Sequence, residues 1–132
     1  MLVDIETKEI ICTAHGRGRQ HDFKLFKASQ LPLRKDTECL GDKGYQGIQK
    51  VHANSKIPQK KPRGGQLSSE DKQRSRELAP ARVVIEHINR RLKVFKILAE
   101  RYRNRRRRFS LRFNLIAGLY NYEIHLASTT SA

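Results

Sequence analysis

From Arg82 to about Glu100 the chain keeps a helical period, and this stretch constrains the fold more than any other. At about 100° per residue with Glu86 as origin, Arg82 falls at about −40°, Lys93 at about −20° and Arg90 at about +40°. Val84, Ile88 and Phe95 fall within about 20° of the opposite side. One helix thus shows a carboxylate among cations on one face and a core stripe of Val84, Ile88, Leu92 and Phe95 on the other. Arg–Glu pairs at i, i+4 decorate many solvated helices. A carboxylate with cations one turn before and two turns after also suits phosphoryl transfer, where an acid holds a divalent metal and cations steady the phosphates.

The segments around this helix read as strands first and helices after, which predicts a mixed α/β domain with a small sheet. Leu2–Ile5 and Glu9–Thr13, rich in branched residues and separated by Glu6-Thr7-Lys8, read as a hairpin. His15–Arg19 is a loop, Asp22–Ser29 spaces Phe23 and Phe26 like a short helix, and Thr37–Leu40 reads as a buried strand. Tyr45, Ile48 and Val51 repeat as one helical face, and Ile57–Gly65 is punctuated as an extended segment and loop. Ser68 or Ser69 can cap a helix that opens with Glu70 and Asp71. Pro80 should end or kink that helix, or occupy the first turn of the next. Phe109, Phe113, Ile116, Ala117 and Tyr120 mark a last helix, and residues 127–132 should fray.

Charge narrows the partner. Across 132 residues, 28 Lys and Arg oppose 13 Asp and Glu, a formal net charge of +15, which favours a polyanion and above all nucleic acid. Residues 101–112 hold seven arginines and no acid, interleaved with Tyr102 and Phe109. Clustered guanidinium groups repel one another unless phosphates are near, so Arg101, Arg103, Arg105, Arg106, Arg107 and Arg108 are candidate phosphate contacts. No apolar run reaches the length of a membrane span, and Met1-Leu2-Val3-Asp4 does not read as a signal peptide. Cys12 and Cys39 form no Cys-x-x-Cys pair and read as small hydrophobes on strands, in a reducing intracellular setting. The five histidines show no four-ligand zinc spacing.

A second acid stands in Leu40-Gly41-Asp42-Lys43-Gly44-Tyr45-Gln46-Gly47. An Asp just past a strand and before a Gly-rich turn sits where α/β folds place ligand groups, although Gly-Asp-x-Gly also supplies an ordinary turn. Taken with the Arg82, Glu86, Lys93 stripe, this segment makes the chain resemble the C-terminal part of the catalytic domain of DDE-type insertion-sequence transposases. Arg82, Glu86 and Lys93 match that group's Arg-x3-Glu-x6-Lys signature, and Asp42-Lys43-Gly44-Tyr45 matches the segment of its second catalytic aspartate. His21-Asp22, Pro58-x3-Pro62, Leu92-Lys93-x-Phe95 and Arg101-Tyr102-Arg103 extend the resemblance over about Leu2–Tyr122.

The resemblance implies a ribonuclease-H-like fold, here incomplete, and DNA transposition. Two Mg²⁺ or Mn²⁺ ions held by two aspartates and a glutamate would drive in-line attack on a phosphodiester of double-stranded DNA. Carried over residue by residue, Asp42 is the second acid and metal ligand and Glu86 the third. Arg82, Lys93 and Lys43 become DNA contacts, and Tyr45 packs or touches the DNA backbone. The family's first aspartate lies on a strand upstream of the opening hairpin, so it is expected to be absent from these residues; Asp4 and Asp22 do not align with it. His21-Asp22 reads as a capping pair at a helix start or as a support for the site. These readings predict a partial catalytic domain over residues 1–126, in a bacterial cytoplasmic, nucleoid-associated chain that binds DNA and cleaves little on its own. The alternatives are a non-enzymatic basic DNA- or RNA-binding protein, or an inhibitor that pairs with an intact transposase or with itself.

Overall fold

A computed structural model describes residues 1–16, 20–100 and 108–131. The chain divides into two compact units, Met1–His15 with Val83–Ala132, and Gly16–Arg82. Among the described residues the strands form two separate two-stranded ladders, one antiparallel and one parallel, accompanied by several helices. The architecture is therefore α/β, consistent with an incomplete ribonuclease-H-like domain, with two small ladders in place of one sheet.

The first unit opens with β1 (Leu2–Val3) and β2 (Ile10–Cys12), paired as Leu2↔Cys12 and Val3↔Ile10 around an irregularity between Leu2 and Val3. Asp4 closes the turn between them, its Oδ1 accepting the N–H groups of Glu6 at 2.8 Å and Thr7 at 3.0 Å. A two-stranded hairpin is marginal alone. This one is held by α5 (Phe109–Thr130): Asn121 accepts from the Ile10 N–H and donates to the Ile10 carbonyl, both at 2.9 Å. The Tyr120 hydroxyl donates to the Lys8 carbonyl at 3.1 Å, and Thr13 hydrogen-bonds Asn114. Ile10, Ile88, Leu92, Ile116, Ala117 and Tyr120 form the core.

Ile88 and Leu92 come from α3 (Ala79–Leu92), whose first turn contains Pro80. Proline fits there because the first N–H groups of a helix have no intrahelical acceptor. The helix ends at Leu92, earlier than its period predicts, and α4 (Lys96–Ala99) follows after a turn. On a straight continuation Ile97 would fall at about +20°, on the solvent face with Glu86. The break instead lets Ile97 and Leu98 pack on the core. Its cost is exposure of Val94 (79%) and Phe95 (41%), so Phe95 is not the core residue its spacing suggests.

The second unit contains α1 (Asp22–Ser29), β3 (Cys39–Leu40), a 3₁₀ turn at Ile48–Lys50, β4 (Ser55–Lys56) and α2 (Ser69–Glu77). β3 and β4 pair in parallel, Cys39↔Ser55 and Leu40↔Lys56. Cys39, Ile48 and Ile57 are its buried cluster, with Phe23 and Phe26 of α1 packed against them. His52 is buried and fully bonded: Nε2 donates to the Arg34 carbonyl at 3.0 Å and Nδ1 meets Ser55 Oγ at 3.1 Å. Ser68 caps α2 by accepting the Asp71 N–H at 3.1 Å. At the other end of the chain α5 runs through Thr130, into residues expected to fray. There the Ser128, Thr129 and Thr130 hydroxyls donate to carbonyls three or four residues back.

Candidate functional site

Asp42 stands two residues beyond the end of β3, in a turn tied to β4 by the Gly41 N–H to Lys56 carbonyl bond at 3.0 Å. Its Oδ1 accepts the Gly44 N–H at 2.7 Å, and its carbonyl accepts the Tyr45 N–H at 3.1 Å. The ordinary turn role of this aspartate is thus realised by one carboxylate oxygen, and the side chain as a whole is exposed. Glycine at position 44 permits the close approach, because a Cβ there would stand 3.0 Å from Asp42 Oδ1 and 3.5 Å from His21 Cε1.

The turn is anchored by Tyr45. Its ring meets Phe23 and Phe26 edge-on, with centroids 5.9 and 6.1 Å apart. Burial raises the Tyr45 hydroxyl above its ordinary pKa, and the negative charges of Asp22, Asp42 and Cys39 raise it further. Burial likewise raises the Cys39 thiol, opposed by a hydrogen bond with Ser55. Within this unit the structure therefore brings together Asp42, Lys43 and Tyr45 of the turn with His21 and Asp22 at the start of α1. The capping role expected of His21 is not made by its side chain: His21 is the N-cap of α1 with no side-chain cap bond. Its ring lies by Gly44 instead.

Arg82 and Glu86 lie one turn apart on α3, and Lys93 follows the last helical residue with its N–H still bonded to the Asn89 carbonyl at 3.0 Å. All three side chains are exposed. Among the described residues Glu86 forms no ion pair, so the i, i+4 Arg–Glu bridge of an ordinary solvated helix is not made. Lys93 borders a shallow cleft with Asn89, Leu92, Leu98, Phe109 and Phe113. Arg108 is exposed at the N-cap of α5. The remaining arginine candidates, Arg101, Arg103, Arg105, Arg106 and Arg107, lie outside the described residues.

The donors present do not fit a two-ion centre. Such a centre needs about three carboxylates shared between the ions, and among the described residues no group of three His, Cys, Asp or Glu side chains could hold a metal ion. Asp42 belongs to Gly16–Arg82 and Glu86 to the other unit. Among the described residues no helix is long and apolar enough to cross a membrane.

Comparison with known proteins gives these features a context. A family model described as DDE superfamily endonuclease matches residues 1–121. The chain is 53% identical over 126 residues, 96% of its length, to a protein of Microchaete diplosiphon described as the probable transposase for insertion sequence element IS702. It spans about half of that relative, 46% of its length. No solved structure matches the chain.

Proposed function

Because the chain belongs to the DDE superfamily of endonucleases, we propose that it is part of an insertion-sequence transposase, supplying two of its acids and a phosphate-binding surface. Asp42 is the second acid and Glu86 the third. The first metal-binding carboxylate that such chemistry requires comes from outside these 132 residues, so this polypeptide by itself binds DNA and does not cut it.

The observation that carries this reading is the state of Glu86. A helix on a chain of net charge +15 presents a carboxylate beside Arg82 and Lys93, all exposed, with no ion pair to the acid among the described residues. Cations left unneutralised can take phosphates, and an acid left unpaired can share a metal ion offered with a further carboxylate. Lys43 and Arg108 add exposed charge, Arg101, Arg103, Arg105, Arg106 and Arg107 are further phosphate-contact candidates by sequence, and Tyr45 holds the Asp42 turn in place. Double-stranded DNA is the partner.

The test is duplex DNA binding by fluorescence anisotropy across a salt series. Each phosphate contact contributes about 0.9 to the slope of log affinity against log salt. Joint replacement of Arg82 and Lys93 by alanine should flatten that slope by about 2. Binding indifferent to salt, or a slope untouched by the double substitution, overturns the assignment. A purely DNA-binding, non-enzymatic role is the second reading, favoured by the net charge of +15 and the arginine run. Under it Mn²⁺ leaves DNA affinity unchanged in both the parent chain and Glu86→Ala.

A further inference from the structure

β3 and β4 run parallel, so the segments that follow them leave the ladder at the same end. The Asp42 turn follows β3, and residues 57–65 follow β4. The C-terminal ends of parallel strands are where α/β folds gather ligand groups. The two segments touch at their roots. The Gly41 N–H donates to the Lys56 carbonyl at 3.0 Å, and a Cβ at Gly41 would stand 3.1 Å from Ile57 Cγ2. The start of the second segment is therefore packed on the residue just before Asp42.

Ile57 and Pro58 are buried and fix that root, while Lys60, Lys61 and Arg63 beyond them are exposed. Residues 58–69 hold these three cations and no acid. None of the three forms an ion pair among the described residues. The tip of the segment is shaped as well. The Gly65 N–H donates to the Pro62 carbonyl at 3.3 Å, and Gly64 has a φ of 74°, a left-handed turn position that glycine adopts without strain. Arg63 stands at the corner of this turn. Three neighbouring cations on an anchored segment repel one another, and a row of phosphates relieves that repulsion. From Ile57 to Arg63 the chain spans at most about 20 Å, about six nucleotide steps along one strand of a duplex.

In a chain that spans 46% of its relative, exposure alone does not mark a free surface. Here Asp42 supplies the reason. A catalytic acid has to be reached by DNA in the whole protein, so the surface beside it stays open to a phosphate backbone whatever other surfaces are covered.

On the reading of Asp42 as an acid of the transposase centre, on which the assignment rests, we propose that Lys60, Lys61 and Arg63 bind the backbone phosphates flanking the phosphodiester brought to Asp42. These contacts are additional to those of Arg82, Lys93 and the arginine run.

The test is duplex binding by the 132-residue chain across a salt series. At about 0.9 per phosphate contact, the triple variant Lys60→Ala/Lys61→Ala/Arg63→Ala should flatten the slope of log affinity against log salt by about 2.7. Lys35→Ala/Lys50→Ala removes exposed cations that precede β3 and β4, and should leave the slope unchanged. Circular dichroism verifies that each variant is folded. The path of the backbone is read with a duplex carrying bromoacetyl groups on phosphorothioates. Lys43→Cys and Lys61→Cys should both be alkylated faster than Lys35→Cys and faster than the parent's Cys12 and Cys39. A slope left intact by the triple variant overturns the proposal, as does a control pair that flattens it equally per cation. Lys61→Cys labelled no faster than Lys35→Cys overturns it too, and so does labelling of Lys61→Cys without Lys43→Cys, which puts the backbone away from Asp42. The two assignments fail separately. A slope flattened by the Arg82 and Lys93 substitutions but not by the triple variant removes only the loop contacts, and the opposite result removes only the Arg82 and Lys93 contacts.

Discussion

The two units present their candidate acids by different physical means. In Gly16–Arg82 the carboxylate of Asp42 is bonded into its own turn, and the turn is pinned by Tyr45 between two phenylalanine rings. In the other unit Glu86 stands on the open side of a helix, and what is fixed is the backbone beneath it, because Ile88 and Leu92 are buried on the far side of α3. A turn positions an acid through local hydrogen bonds, and a helix positions one through its core face. The first is sensitive to what surrounds the turn, the second to the core.

The largest test of that contrast truncates each core in turn. Ile48 is 1% exposed and Ile88 is 2% exposed. Replacement of either by alanine should cost about 3 kcal/mol. Hydrogen exchange should show Ile48→Ala loosening amides around β3 and β4 before those of α5, and Ile88→Ala the reverse. Equal loosening of both units by either substitution would show that they share one cooperative core.

Next in size is Asn121→Ala. It removes both bonds that hold the Ile10 backbone to α5 and should cost about 2 kcal/mol, since a part-buried N–H and carbonyl lose their partners. The expected signature is early exchange in the hairpin with the Asp42 turn unaffected. Loss of the α2 cap in Ser68→Ala should cost less, about 1 kcal/mol, detectable as fraying of Ser69–Glu77.

The smallest effect is a pH dependence at the Asp42 turn. Folding raises the Tyr45 pKa, so the folded state holds that proton more tightly than the unfolded one. The resulting stability is complete below the ordinary tyrosine value of 10.0 and is lost as pH rises above it. Tyr45→Phe should flatten the alkaline loss of stability in this unit, measured by denaturant melts at rising pH. An unchanged alkaline limb would mean that folding, chiefly by burial, does not raise the Tyr45 hydroxyl.

Much of this fold is legible in the sequence where one local rule dominates. Asp22–Ser29 has the helix bounds its spacing predicts, Ser68 caps α2, and Pro80 sits in a first turn. The end of α3 is not legible, because the period continues through Phe95 and only the core explains why Ile97 and Leu98 are turned inward. β4 is missed because two residues, Ser55 and Lys56, carry no alternation, and their pairing with β3 is set by the chain's path through the Ile48 turn. At the site, the turn around Asp42 follows from its glycines and the shared face of Arg82 and Glu86 from helical spacing. The contribution of α1 does not follow from the sequence pattern. The edge-on packing of Phe23 and Phe26 on Tyr45, and the nearness of His21 to Gly44, depend on contacts across more than fifteen residues of sequence.

The central claim is that these residues carry two acids of a transposase centre and do not complete it. Plasmid nicking by the purified chain, with Mn²⁺ and with EDTA, alongside Glu86→Ala, tests it most directly. The account predicts no nicking in any condition, with salt-sensitive DNA binding retained. Metal-dependent nicking by the parent chain that disappears in Glu86→Ala would contradict it, because a working centre would then be complete within these 132 residues.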